Sequence, residues 1–227
     1  VLEARIGNDC SGPEDEVLMS LKAIGNDGVT LTGKTTLIKC INNDKTSMDL
    51  KLASLEAFRH MDLGNAKPAL LELYKNMDLD PEIRIGAFVA LMRDPCKMCI
   101  DAVQATMAKE RVLQVGSFVM SYMENARRSG NPAKKGKIEI LKMFNEAKIR
   151  RDWNLEIMKY SRAYEASYFS SYLNAGIDAQ SQVIFSQAGF LPRQVKTDLN
   201  INLFGRSINL FELGARMEGL AHALEPS

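Results

Sequence analysis

Histidine is nearly missing from this 227-residue chain, which has only His60 and His222, and tryptophan occurs once. With two histidines, triad chemistry has almost nothing to work with, and neither stands at metal-ligand spacing. GxSxG, HExxH and GxGxxG motifs are also missing, so the chain reads as a non-enzyme with no cofactor or metal. Aromatics reach only 7% and do not interleave with basic residues as single-strand nucleic-acid binding requires. No charge of one sign dominates: the formal net charge is +1, which points to neither nucleic acid nor an acidic partner for the whole chain. No apolar run approaches the roughly 18 residues that span a bilayer. No N-x-S/T sequon informs on compartment, and no starting methionine or signal peptide is present. Val1 to Arg5 read as the tail of a helix already under way, and Leu224 to Ser227 follow an unfinished sheet. These ends suggest an internal piece of something longer.

What is present is a helical repeat. Leu21-Lys22-Ala23-Ile24 matches Leu55-Glu56-Ala57-Phe58, then Phe88-Val89-Ala90-Leu91, and more weakly Phe118-Val119-Met120-Ser121, at offsets of 34, 33 and 30 residues. That is the period of helical solenoids, in which each helix pair buries its apolar face on the next. Punctuation supports the reading. Ser11-Gly12-Pro13-Glu14 offers an N-cap and a first-turn proline. Thr46 to Asp49 opens a helix to about Met61, and Asp80-Pro81-Glu82 opens another to about Arg93, before Asp94-Pro95. Gly25-Asn26 and Gly64-Asn65 stand where helices should stop. The tetratricopeptide and ankyrin consensus residues are missing; the Asp-Pro-Glu-Ile-Arg start is closer to HEAT-type repeats.

Near Gln180 the hydrophobic period changes. Val195 to Leu203 alternates with period 2, setting Leu199, Ile201 and Leu203 on one face and Asp198, Asn200 and Asn202 on the other. Gly205-Arg206 makes a short turn, and the return strand carries Ile208 and Leu210. It then changes face near Phe211, a slip that a β-bulge explains. The expected architecture is mostly α: a superhelix of helix hairpins over 1–165, then the first antiparallel strands of an amphipathic sheet over 166–227. That oily face either lines a lipid cavity or packs on protein helices as ordinary core. The scattered methionines (Met92, Met98, Met107, Met120, Met123) read as pliable core.

Three further features carry competing readings. Gly28 to Thr35 fits GxxxxGK[ST], but the P-loop works only between a buried strand and a helix, and a helix of the repeat precedes it here. Cys96-Lys97-Met98-Cys99 is a lone CxxC without a second pair for zinc and without the βαβ setting of a thioredoxin site; it reads as a short loop pair, bridged or free. Residues 127–152 hold nine basic against three acidic residues, locally +6. They form either a patch for anionic headgroups or phosphorylated partners, or a solvated loop and helix face.

Three stretches together resemble one family. They are Cys10-Ser11-Gly12 with Leu21 to Gly28 and Lys39-Cys40; Ile83 to Pro95; and Phe190 to Arg193 with Leu203 to Gly214. Tyr160 to Tyr164 is similar to the same family's helix-to-sheet connection. The order and coverage resemble the large lipid transfer proteins, the vitellogenin, apolipophorin and apolipoprotein B group, rather than the intracellular transfer subunit. The resemblance implies a secreted lipid transport or storage protein with bound phospholipid or neutral lipid. It implies a helical superhelix beside a lipid cavity whose wall Leu199, Ile201, Leu203, Ile208 and Leu210 would face. It also implies partners: lipid, the remainder of the same lipoprotein, an endocytic receptor reached through other regions, and a homodimer of the full-length protein, but no nucleic acid. By position within the Leu-Lys-Ala-Ile-Gly-Asn unit, Cys10 and Cys40 match a pair that is disulfide-bonded in that family. Such a bridge would add about 3–4 kcal/mol and suit a secretory compartment. The alternatives kept beside it are a HEAT-like interaction scaffold without lipid and, on the GxxxxGKT match alone, an NTPase.

Overall fold

The structure, a computed structural model, describes residues 2–27, 33–149, 161–185, 192–204 and 206–217. The chain divides into two compact units, Val1–Pro95 and Cys96–Ser227.

The first unit is a stack of helices. It contains α1 (Leu2–Ile6), α2 (Glu14–Asp27), α3 (Gly33–Asn42), α4 (Met48–Glu56, continued by a 3-10 turn over Ala57–His60), α5 (Lys67–Lys75) and α6 (Pro81–Leu91). Helices α2, α4 and α6 pack on one another in succession, with α3 laid against α4 and α5 against α6. The repeated phrase supplies that inner row: Leu21, Ile24, Leu55, Phe58, Phe88 and Leu91 are all at most 3% exposed. A second signal runs at the same period. Arg59 donates to the Asn26 side chain at the end of α2, and Arg93 donates to the Arg59 carbonyl at 3.0 Å. Each arginine thus ties the C-terminal end of one inner helix to the preceding one, and Arg93 also satisfies a backbone carbonyl that the helix end leaves without a partner of its own.

The helices open where expected, after Ser47 and Asp80, whose side chains accept from the amides of Leu50 and Glu82. Two expectations are corrected. Ser11 does not cap α2; the helix starts at Glu14, and the Pro13 carbonyl takes its first bond from Val17 at 3.0 Å. Gly25 does not end α2, which runs to Asp27. A Cβ there would lie 3.1 Å from the Ala57 Cα, so the glycine marks where two inner helices approach closely.

The second unit contains α7 (Lys97–Met107), α8 (Leu113–Arg127), α9 (Lys135–Leu141) and four strands: β1 (Arg162–Ser170), β2 (Ala175–Phe185), β3 (Pro192–Leu203) and β4 (Arg206–Arg216). The strands form an antiparallel sheet in sequence order. The sheet therefore begins before Gln180, and the expected boundary between 165 and 166 falls inside β1. The early strands hid because β1 and β2 place Ala and Ser on both faces, which blurs the alternation that β3 shows clearly.

Strand β1 is a sheet edge, and α8 covers it. Ser117, Ser121, Asn125 and Ser129 recur every four residues, one stripe along the helix and the turn after it. Ser117 Oγ donates to the Ser161 carbonyl at 3.0 Å, and Asn125 Nδ2 to the Ala163 carbonyl at 2.8 Å. The Ala163 amide donates to Ser121 Oγ at 2.9 Å, and Ser129 Oγ lies 3.3 Å from Ser167 Oγ. Backbone groups of the edge strand, which would otherwise recruit another strand, are satisfied by side chains.

Candidate lipid-facing sheet

Strand register sorts the sheet into two unlike faces. On one, Glu165, Gln180, Asp198 and Glu212 form a cross-strand row, followed by Ser167, Asp178, Asn200 and Asn209. On the other, Ala166, Ala179, Leu199 and Phe211 form a row, followed by Tyr168, Ile177, Ile201 and Ile208. The polar face is the buried one. Asp178 is 2% exposed, and Lys196, Asp198 and Asn202 are also buried. Asp178 Oδ2 accepts from Asn131 Nδ2 at 2.7 Å and from Asn202, while Lys134 reaches Asp178 Oδ1 at 3.4 Å and Glu165 at 2.6 Å. The turn after α8 thereby locks onto the polar face through paired charges, the only form in which such groups tolerate burial. Lys196 pairs with Glu212 at 3.1 Å on the same face.

The apolar face is the open one. Tyr168 is 73% exposed, Ile177 49%, Ile208 51%, Phe211 49% and Leu213 66%. Leu199 and Ile201 are half-buried by neighbouring strands, and Leu203 is 37% exposed. Leu199, Ile201, Leu203 and Ile208, singled out from the sequence, all fall on this face. Leu210 sits at the expected bulge: Leu199 pairs with Phe211 and Asn200 with Asn209, leaving Leu210 as the extra residue, 54% exposed. Within the second unit, α8 and the turn after it hold the sheet's edge and its polar face. Tyr164, Tyr168 and Ile177 join the open face and were not read from the sequence, and Phe211, read only as the place of the slip, joins it too; the cross-strand register is what groups them. At one end the hairpin tips add Tyr172, Leu173 and Phe204, brought together by the Phe204 amide donating to the Asn174 carbonyl at 3.0 Å. A cleft lined by Tyr122, Asn125, Ala163 and Gln180, between α8 and the sheet, has about 10 Å³ of room, the size of one water and far too small for an acyl chain.

The remaining sequence features resolve as follows. Cys10 and Cys40 are joined, Cα atoms 5.2 Å apart, and Cys96 and Cys99 are joined, 5.0 Å apart. Of the GxxxxGKT stretch, residues 28–32 lie outside the described residues; Gly33, Lys34 and Thr35 open α3, and among the described residues the element before them is helix α2 rather than a strand. The P-loop setting is therefore not met. In the basic segment, Arg127 pairs with Glu146, Arg128 with Glu124, Lys134 with Glu165, and Lys142 with Glu139, while Lys137 Nζ donates to the Tyr122 hydroxyl at 3.1 Å. The hydrogen bond from Lys142, with its charge, holds the Glu139 carboxyl below its ordinary value. Four of the nine basic side chains are thus ion-paired within the fold; residues 150–152 lie outside the described residues. Among the described residues, no helix is long and apolar enough to cross a membrane, and no cluster of three or more His, Cys, Asp or Glu could hold a metal ion.

A helical stack followed by an antiparallel sheet with its oily side open is matched by two family descriptions, "Vitellogenin TPR domain" over residues 10–124 and "Vitellinogen, open beta-sheet" over residues 159–226. The chain belongs to the vitellogenin family. Among its relatives are apolipophorins of Locusta migratoria, 34% identical over 93% of this chain and 6% of that protein. Apolipoprotein B-100 of Rattus norvegicus is 27% identical over 99% of this chain and 5% of its own length, and vitellogenin of Penaeus merguiensis is 27% identical over 99% and 9%. A solved lipovitellin structure superposes with a TM-score of 0.82 at 24% identity, covering 93% of this chain and 23% of that one, and shows the shared fold. The chain thus spans under a tenth of the length of these three relatives.

Proposed function

We propose that this chain is scaffold and part of the lipid-cavity wall of a large secreted lipoprotein that transports or stores lipid. The observation that carries the reading is the sheet's inverted polarity: charged groups face inward onto helices, and aliphatic and aromatic groups face out. A soluble domain leaves such a face open only when something apolar covers it. Acyl chains are suited to it, because each methylene removed from water contributes about 0.8 kcal/mol without directional chemistry. That fits a non-enzymatic carrier. Phospholipid or neutral lipid is the bound cargo, and the remainder of the same lipoprotein completes the cavity; any receptor or homodimer contact belongs to that longer protein. The Cys10–Cys40 bridge supports a secretory route.

The test is made on the full-length secreted protein. A photoactivatable residue at position 208 or 177 is expected to crosslink to phospholipid or triacylglycerol, while one at position 19 in the helical stack does not. Crosslinks from 208 and 177 exclusively to protein, in a protein that stays soluble without lipid, would overturn the reading and favour the interaction scaffold.

A further inference from the structure

The two disulfides differ in span and in exposure. Cys10–Cys40 joins residues 30 apart, both buried, and fixes the approach to α2 against α3. Cys96–Cys99 joins residues 3 apart at the N-terminus of α7, an eleven-residue helix. Cys96 is the N-cap, where serine or aspartate ordinarily stands, and its Sγ accepts the Cys99 amide at 3.1 Å. Cys96 is partly exposed, whereas Cys99 is completely buried. One sulfur is therefore open to attack and the other shielded. The first turn of α7 also has its own backbone bond, from the Ile100 amide to the Cys96 carbonyl at 3.0 Å, so the helix start does not depend on the bridge.

We propose that Cys96–Cys99 is a reversible thiol–disulfide exchange site with Cys96 as the reacting sulfur. The proposal is independent of the lipid reading. An external thiolate attacks Cys96 Sγ; a bond forms between the two sulfurs as the Cys96–Cys99 bond breaks, and Cys99 leaves with the electron pair and takes a proton from solvent. A second thiolate attacks the external sulfur of the mixed disulfide and releases Cys96 as a thiolate. Two thiols are oxidised to one disulfide while one cystine is reduced to two cysteines. The released Cys96 thiolate lies at the positive end of α7 and accepts the amide that its sulfur already holds, which favours the reduced form. The bridge encloses so short a segment that its loss frees little chain, so the fold survives its opening.

The intact, folded protein is equilibrated in glutathione buffers of graded poise, quenched in acid, differentially alkylated and read cysteine by cysteine by mass spectrometry. Cys96 and Cys99 are expected to reduce at a poise at least tenfold more oxidising than that reducing Cys10 and Cys40, a separation of about 30 mV or more. In Cys99→Ser, Cys96 should form a mixed disulfide with glutathione or with a thioredoxin-type dithiol, and the faster trap identifies which thiol the site serves. In Cys96→Ser, Cys99 should alkylate at least tenfold more slowly than Cys96 does in Cys99→Ser. Reduction of both bridges at one poise, or equal alkylation of the two single cysteines, overturns the proposal.

Discussion

The open face gives the sharpest quantitative test. Ile177, Ile201 and Ile208 form one cross-strand row on β2, β3 and β4. Ile177 and Ile208 keep about half their surface, 49% and 51%, and Ile201 is half-buried. Full burial of an isoleucine is worth about 1.5–3 kcal/mol, so asparagine at each position should cost folding about 1 kcal/mol. Against hydrocarbon the balance is different. The exposed half of each side chain forfeits about two methylenes of lipid contact, about 1.6 kcal/mol. An amide facing acyl chains with no partner costs about 4–8 kcal/mol more on the water-to-cyclohexane scale. The triple asparagine variant of the full-length protein should therefore stay folded, by circular dichroism and an intact Cys10–Cys40 bridge, yet be secreted with a lower lipid-to-protein ratio and higher buoyant density. The control replaces Met19, Met98 and Met143, exposed at 69%, 59% and 45% on helices or turns, with asparagine. If the two variants carry the same lipid load as the unmodified protein, the face does not contact lipid and the reasoning fails.

Other consequences follow from the same contacts. Replacing Cys10 and Cys40 together with alanine removes a cross-link between residues 30 apart and should cost about 3.7 kcal/mol, whereas the Cys96 and Cys99 pair, 3 apart, should cost at most about 2 kcal/mol; urea unfolding measures both. Asn125→Ala strands the Ala163 carbonyl and should cost about 1–3 kcal/mol, and Ser121→Ala should speed hydrogen exchange at the Ala163 amide selectively. Lys134→Met leaves Glu165 and the buried Asp178 without their cation and should cost about 3–5 kcal/mol, while Lys142→Met should leave the melting temperature unchanged within error.

Legibility in the sequence followed the range of the interaction. Helix starts at Ser47 and Asp80, the repeat around Leu55 and Phe88, the alternation of β3 and the bulge near Phe211 were all readable, because each is set by residues within one or two turns or along one strand. Strand β1 was not, because its alanines and serines carry little hydrophobic contrast and its identity depends on the α8 stripe reaching it from some forty residues away. The arginine ladder through Arg59 and Arg93 was missed for a related reason. An arginine at a helix end looks like solvated charge until the neighbouring helix end is in place.

By itself, then, the sequence determined the local vocabulary: helix hairpins at a period near 34, an amphipathic strand pair with its slip, and a family resemblance strong enough to imply lipid. Only the tertiary structure decided which way the sheet faces. Amphipathicity fixes that a strand has two unlike sides but not which side meets the helices. That choice was made by Asn131 and Lys134, which pair with Asp178 and Glu165 and pull the polar side inward, leaving the aliphatic side open. The same holds for Cys96 and Cys99: spacing said only that they could meet, and the capped, half-exposed geometry at the start of α7 is what gives the pair a chemistry.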